Sequence, residues 1–65
     1  MTAKEAKELI VGQKFSATGT DSNPWVVTQG WEGSVLLASW TNQKGTPFTE
    51  KDLKHYVLHR ENNPQ

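Results

Sequence analysis

Three tryptophan residues, Trp25, Trp31 and Trp40, lie within sixteen positions of one another in a chain of 65 residues that contains no cysteine. Each indole buries a large apolar area and carries one N–H group that needs a hydrogen-bond partner. A domain of this size buries only about 60% of the surface that its unfolded chain exposes. We therefore expect its core to hold two indoles. The third is a candidate for contact with a partner, because tryptophan is enriched at binding hot spots.

The composition predicts one small domain, 1–65, without covalent or metal staples. Its free energy of unfolding is expected to be roughly 3–5 kcal/mol. The absence of cysteine excludes disulfides and thiolate zinc sites. Seven basic and seven acidic side chains cancel, so the chain has little of the electrostatic attraction on which general nucleic-acid binding depends.

No segment of the sequence predicts export or a membrane role. The first five residues lack the apolar stretch of a signal peptide. The longest aliphatic run, 35–38, is far shorter than the ~20 residues that a membrane-spanning helix needs. We therefore expect a cytoplasmic protein that does not contact a membrane.

Hydrophobic spacing predicts a mainly β domain, α+β at the margin, that begins with a short helix. Thr2 and Glu5 have the spacing of a capping box, followed by apolar residues at helical spacing. Alternating apolar residues, many of them β-branched or aromatic, then predict a series of strands. The predicted elements are, in chain order, a helix at 2–9, strands at 14–18, 25–30, 34–40 and 47–48, a helical turn at 49–52, a strand at 56–58 and a flexible polar tail at 60–65.

One predicted hairpin also carries a prediction about register. A two-residue loop at 32–33 places Trp25 opposite Trp40. The same register sets Trp31 opposite Ser34. A three-residue loop would shift the pairing by one residue and send the two tryptophans to different faces. We prefer the paired register.

The order of elements resembles that of SH3-like small barrels. The likeness rests on hydrophobic spacing over 12–58, carried by Gly12, Phe15, Trp25, Val27, Gly33, Val35, Leu37, Phe48, Leu53, Tyr56 and Leu58. It implies a five-stranded barrel over 14–59, preceded by a helix and with one helical turn before the last strand. A β-meander packed on the N-terminal helix is the alternative. The likeness concerns architecture alone and assigns no functional residue.

Four aromatic residues form the candidate partner-binding set: Trp31, Trp25, Trp40 and Tyr56. Trp31 lies beside the predicted turn, where full burial is difficult, and it is the leading candidate for an aromatic anchor. Its alternative role is to cap the edge of the core. Trp25 and Trp40 are expected in the core or at its margin. As an anchor, Trp31 would be replaceable by alanine with weaker binding and a nearly unchanged melting temperature.

Residues capable of catalysis or metal binding are few. His55 and His59 lie four residues apart, which on a strand is roughly 13 Å and too far for one ion. We expect both to be solvated, with no metal and no cofactor. Asp52 and His55 could meet on one helical turn, but a capping aspartate near a surface histidine is the simpler interpretation. The chain is not expected to be an enzyme.

The sequence therefore favours a small binding module that acts without chemistry. Its partner would be another protein or a second copy of the chain, held by exposed aromatic side chains. The alternative is single-stranded nucleic acid, whose bases stack on aromatic residues at about 1–3 kcal/mol each. The balanced charge makes this alternative the weaker one.

Overall fold

The computed structural model describes residues 1–40 and 44–59 as a five-stranded antiparallel sheet with two short helices. The elements are α1 (Ala3–Lys7), β1 (Lys14–Ser16), β2 (Trp25–Glu32), β3 (Val35–Trp40), β4 (Thr46–Phe48), α2 (Glu50–Leu53) and β5 (Val57–Leu58). The strands lie in the order β4-β3-β2-β1-β5. The mainly β class and the order of elements are confirmed. The sheet is not closed, so the predicted barrel is not confirmed.

The flexible tail predicted at 60–65 lies outside the described residues, as do residues 41–43 of the connection between the strands predicted at 34–40 and 47–48. Neither α1 nor α2, the helices of the described ranges, has the length or the hydropathy of a transmembrane segment.

Both helices begin at capping boxes. The Thr2 Oγ1 accepts a hydrogen bond from the Glu5 backbone N–H at 3.1 Å, and the Glu5 Oε1 accepts from the Thr2 backbone N–H at 2.8 Å. Thr49 and Asp52 make the same reciprocal pair at the start of α2. These bonds satisfy backbone donors that a helix of one or two turns otherwise leaves open. The α1 helix ends at Lys7, two residues earlier than predicted, and Leu9 beyond it is buried.

The β2–β3 hairpin confirms one part of the predicted register and contradicts another. Trp25 pairs with Trp40, as predicted. At the other end Glu32 pairs with Val35, so the two-residue loop is Gly33 and Ser34. The predicted loop at 32–33, with Trp31 opposite Ser34, is therefore wrong.

Two irregularities in β2 explain why Trp25 pairs with Trp40 as predicted although the turn lies one residue later than predicted. β2 advances three residues from Glu32 to Gln29 while β3 advances two, from Val35 to Leu37. β2 then advances two residues to Val27 while β3 advances one, to Ala38. Each irregularity inserts one extra residue into β2, and Gly30 lies in the first, where a residue without a side chain is favoured.

The core lies between one face of the sheet and the two helices. Its buried hydrophobic residues are Ala6, Leu9, Phe15, Val27, Leu36, Ala38, Phe48 and Leu53. Full burial of a Leu, Val or Phe side chain stabilises a fold by about 1.5–3 kcal/mol. The α1 helix has only five residues, too few for a helix that is stable on its own. The packing of Ala6 in the core therefore stabilises it.

Gly19 lies where the loop between β1 and β2 closes over β5. Its φ is +83°, in the left-handed region that favours glycine. A Cβ atom at this position would lie 2.7 Å from the Val57 Cγ1 and 3.4 Å from the Leu58 carbonyl oxygen. The Gly19 N–H also donates to the Ser16 Oγ at 3.0 Å. Close approach of this loop to β5 therefore depends on the missing side chain.

Substitution Gly19→Ala is expected to lower the free energy of unfolding by about 2–4 kcal/mol, because left-handed strain and overpacking against Val57 add together. Gly12→Ala is the matched control: its φ is +96°, but a Cβ there meets nothing within 4 Å. It should show the conformational cost alone, about 1–2 kcal/mol. Urea denaturation of both variants measures the difference, and equal losses would contradict a close packing of the loop on β5.

Candidate functional site

Phe48 lies at the centre of an aromatic cluster that continues from the core to the surface. Its ring centroid lies 5.2 Å from that of Phe15, 4.9 Å from that of Trp25 and 5.7 Å from that of Tyr56. The interplanar angles of 75–86° are edge-to-face. Such pairs contribute about 0.5–1.5 kcal/mol beyond the area that they bury. The half-buried rings of Trp25 and Tyr56 are therefore held in place by the buried ring of Phe48.

The outer side of this cluster forms an open groove of about 480 Å³, here called the aromatic groove. Eight described residues line it: Ala17, Trp25, Thr46, Pro47, Phe48, Asp52, His55 and Tyr56. The strands β2 and β4, the helix α2 and the segment that leads to β5 all contribute to this lining. The aromatic groove is a concave, largely apolar surface with a few polar groups at its wall, which is the usual chemistry of a binding site.

Trp40 extends the apolar surface beside the aromatic groove. Its ring centroid lies 6.2 Å from that of Trp25, and the side chain is 41% exposed. Trp40 therefore lies at the margin of the core, the second of the two positions expected for it, and not inside the core. Trp40 is the last residue of β3. Near the other end of the hairpin, Trp31 is hydrogen-bonded to α1. Trp40 is the most exposed of the three indoles, the position that the sequence had suggested for Trp31.

Trp31 is tied to the N-terminal helix. Its Nε1–H donates to the Ala6 carbonyl oxygen at 2.8 Å, and its half-buried ring packs against the core. It faces a different cleft, of about 830 Å³, lined by Lys7, Trp31, Gly33, Ser34, Thr49, Glu50 and Lys51. The structure thus brings Trp25, Trp40 and Tyr56 together and separates Trp31 from them. The sequence could not show this, because the partner of the Trp31 N–H comes from 25 residues earlier in the chain.

One carboxylate faces the aromatic groove. Asp52 is the only Asp, Glu, Lys or Arg among the described lining residues. Its Oδ2 accepts from the Thr49 backbone N–H at 3.0 Å and from the Thr49 Oγ1 at 3.1 Å. These bonds confirm the capping role predicted for Asp52. His55 lines the same groove and is exposed. Neither Pro47 nor the groove itself was identified from sequence, although the Pro47-Phe48 pair just before a helix cap was visible.

The second histidine is buried, contrary to expectation. His59 is 5% exposed, and its Nε2 lies 2.6 Å from the Oγ of Ser16, which is also buried. The His59 backbone N–H donates to the Lys14 carbonyl oxygen at 3.1 Å. Although serine and histidine can form a catalytic pair, substrate must reach the serine. This pair lies inside the fold and instead fastens the end of β5 to β1.

Within 1–40 and 44–59, no three His, Cys, Asp or Glu side chains are grouped so that they could hold a metal ion. Comparison of the chain with protein-family models, with curated proteins and with solved structures gave no match.

The different surroundings of Trp31 and Trp40 predict losses of stability of different size when each is replaced by alanine. Trp31→Ala should lower the free energy of unfolding by about 2–4 kcal/mol, because it removes both ring packing and the bond to the Ala6 carbonyl. This replaces the expectation of an unchanged melting temperature. Trp40→Ala should cost only about 1 kcal/mol, since it loses one ring contact and part of its burial.

Thermal unfolding followed by circular dichroism tests the order of the two variants. For a domain of this size 1 kcal/mol corresponds to about 4–8 °C in melting temperature. A larger fall for Trp40→Ala than for Trp31→Ala would reverse the assignment of the two indoles.

Proposed function

We propose that this chain is a non-enzymatic protein-binding module whose aromatic groove takes a short extended segment of another protein. The observation that carries the proposal is the 41% exposed ring of Trp40 beside Trp25, at the margin of a groove that Tyr56 also lines. Tryptophan and tyrosine are among the residues that most often dominate binding energy. Trp40, Trp25 and Tyr56 therefore supply the contact surface, with Phe48 as its floor.

The rigidity of the aromatic groove supports this function. Its rings are positioned by edge-to-face contacts with Phe48, so little side-chain freedom is lost when a ligand binds. Eight described residues line the groove, whereas a standard interface uses about 20–30 residues on each side. We therefore expect dissociation constants in the micromolar range, about −8 kcal/mol or weaker.

An SH3-like architecture is part of the proposal. Its support is the meander β2–β3–β4, the return of β5 to pair with β1, and the helix α2 between β4 and β5. The cytoplasmic location stays a prediction of the sequence.

Single-stranded nucleic acid is the alternative ligand. The exposed Trp40 ring favours it, since bases stack on indoles at about 1–3 kcal/mol each. Asp52 opposes it, because a carboxylate in the lining of the groove repels phosphate. A protein segment is therefore the preferred partner.

Selection from a phage-displayed library of random dodecapeptides tests the proposal. We expect the native chain to enrich peptides with micromolar affinity, and we expect Trp40→Ala to weaken their binding tenfold or more, about 1.4 kcal/mol or above. Ile10→Ala is the matched control: Ile10 is 63% exposed and outside the groove lining, so its loss should leave affinity unchanged.

Three results would contradict the proposed function. The first is no enrichment above background, and the second is binding that survives Trp40→Ala. The third is tight binding of an oligothymidylate that is lost in Trp40→Ala and falls steeply with salt, which would select the nucleic-acid alternative.

A further inference from the structure

The charge of the aromatic groove identifies the chemistry of its partner. Of the eight described residues that line it, one carries a carboxylate and none is a lysine or arginine. The cleft beside Trp31 differs, because two ammonium groups, from Lys7 and Lys51, and one carboxylate, from Glu50, contribute to its lining. A cation is therefore favoured in the aromatic groove.

The carboxylate of Asp52 is held in a fixed position. The backbone N–H and the Oγ1 of Thr49 both donate to its Oδ2, while the Asp52 backbone N–H donates to the Thr49 Oγ1 at 3.3 Å. The Oδ1 takes no part in these capping bonds. An acidic side chain that is already ordered loses little entropy when it accepts one more donor.

Aromatic rings in the same groove reinforce the preference. Trp25 and Tyr56 line it, and Trp40 adjoins Trp25. A cation over an indole or phenol ring gains about 0.5–1 kcal/mol at an exposed site, and the aliphatic stem of lysine or arginine packs on the same apolar surface. A side chain that is apolar along its length and cationic at its tip satisfies both the rings and the carboxylate.

We propose that the bound segment places a lysine or arginine side chain in the aromatic groove, with its stem on the rings and its charged end toward Asp52. The inference rests on the proposed function, because it names the chemistry of the segment that the groove takes. It excludes acidic segments and phosphate-bearing ligands from the same surface.

The peptides recovered in the dodecapeptide selection, made as synthetic acetylated amides, are the probe. We expect them to be enriched in lysine or arginine at one position. Replacing that residue by glutamine should weaken binding to the native chain about five- to tenfold, and replacing it by glutamate should weaken binding further. Raising the salt concentration from 0.05 to 0.5 M should reduce the difference, because the exposed charges are screened.

A double-mutant cycle assigns the effect to Asp52. In Asp52→Asn, which keeps the shape of the side chain, the same lysine-to-glutamine replacement should change affinity less than twofold. Glu50→Gln is the matched control on the same helix: Glu50 lines the other cleft and pairs with Lys7 at 3.5 Å, so the cycle should be unaffected. If Asp52→Asn fails to fold, the peptide substitutions on the native chain still decide the question.

Different results would overturn the preference for a basic side chain and the binding function itself. Peptides whose binding is lost in Trp40→Ala but which carry no basic residue would overturn the inference, while they would still support the proposed binding function. The absence of any Trp40-dependent peptide would overturn both. Sedimentation equilibrium of the chain alone gives the remaining outcome: a dimer that Trp40→Ala dissociates would show that a second copy covers the groove, which also overturns the inference.

Discussion

The ring of Phe48 joins the core of this protein to its surface. Phe15 packs on it from the fully buried interior, while Trp25 and Tyr56 pack on it from the groove. Since Phe48 ends β4 and Thr49 caps the next helix, the same short segment fixes the floor and one wall of the groove. The groove is therefore the outer side of the packing that stabilises the fold. Ring contacts within the chain itself set its shape.

The two ends of the β2–β3 hairpin have different roles. Near the turn, Trp31 uses its N–H to hold α1, and α1 in turn covers the core with Ala6. At the far end, Trp25 and Trp40 face each other and Trp40 is exposed. One indole thus attaches a helix to the sheet, while another stays exposed.

The sequence predicted the class, the order of elements and both helix caps, because these depend on local spacing. It predicted the pair of Trp25 and Trp40 correctly from a turn placed one residue too early, since two irregularities in β2 offset that error. It could not rank the exposure of the indoles or the burial of His59. Those depend on long-range partners, the Ala6 carbonyl and the Ser16 hydroxyl, that no local pattern reveals.

Under the proposed function, binding occurs at the aromatic groove rather than at the cleft beside Trp31. The three indole N–H signals in a nitrogen–proton NMR spectrum, assigned with tryptophan-to-phenylalanine variants, test it during titration with a peptide recovered from the dodecapeptide selection. The signals of Trp25 and Trp40 should shift together while that of Trp31, bonded to the Ala6 carbonyl, stays in place. A shift confined to Trp31 would contradict the claim.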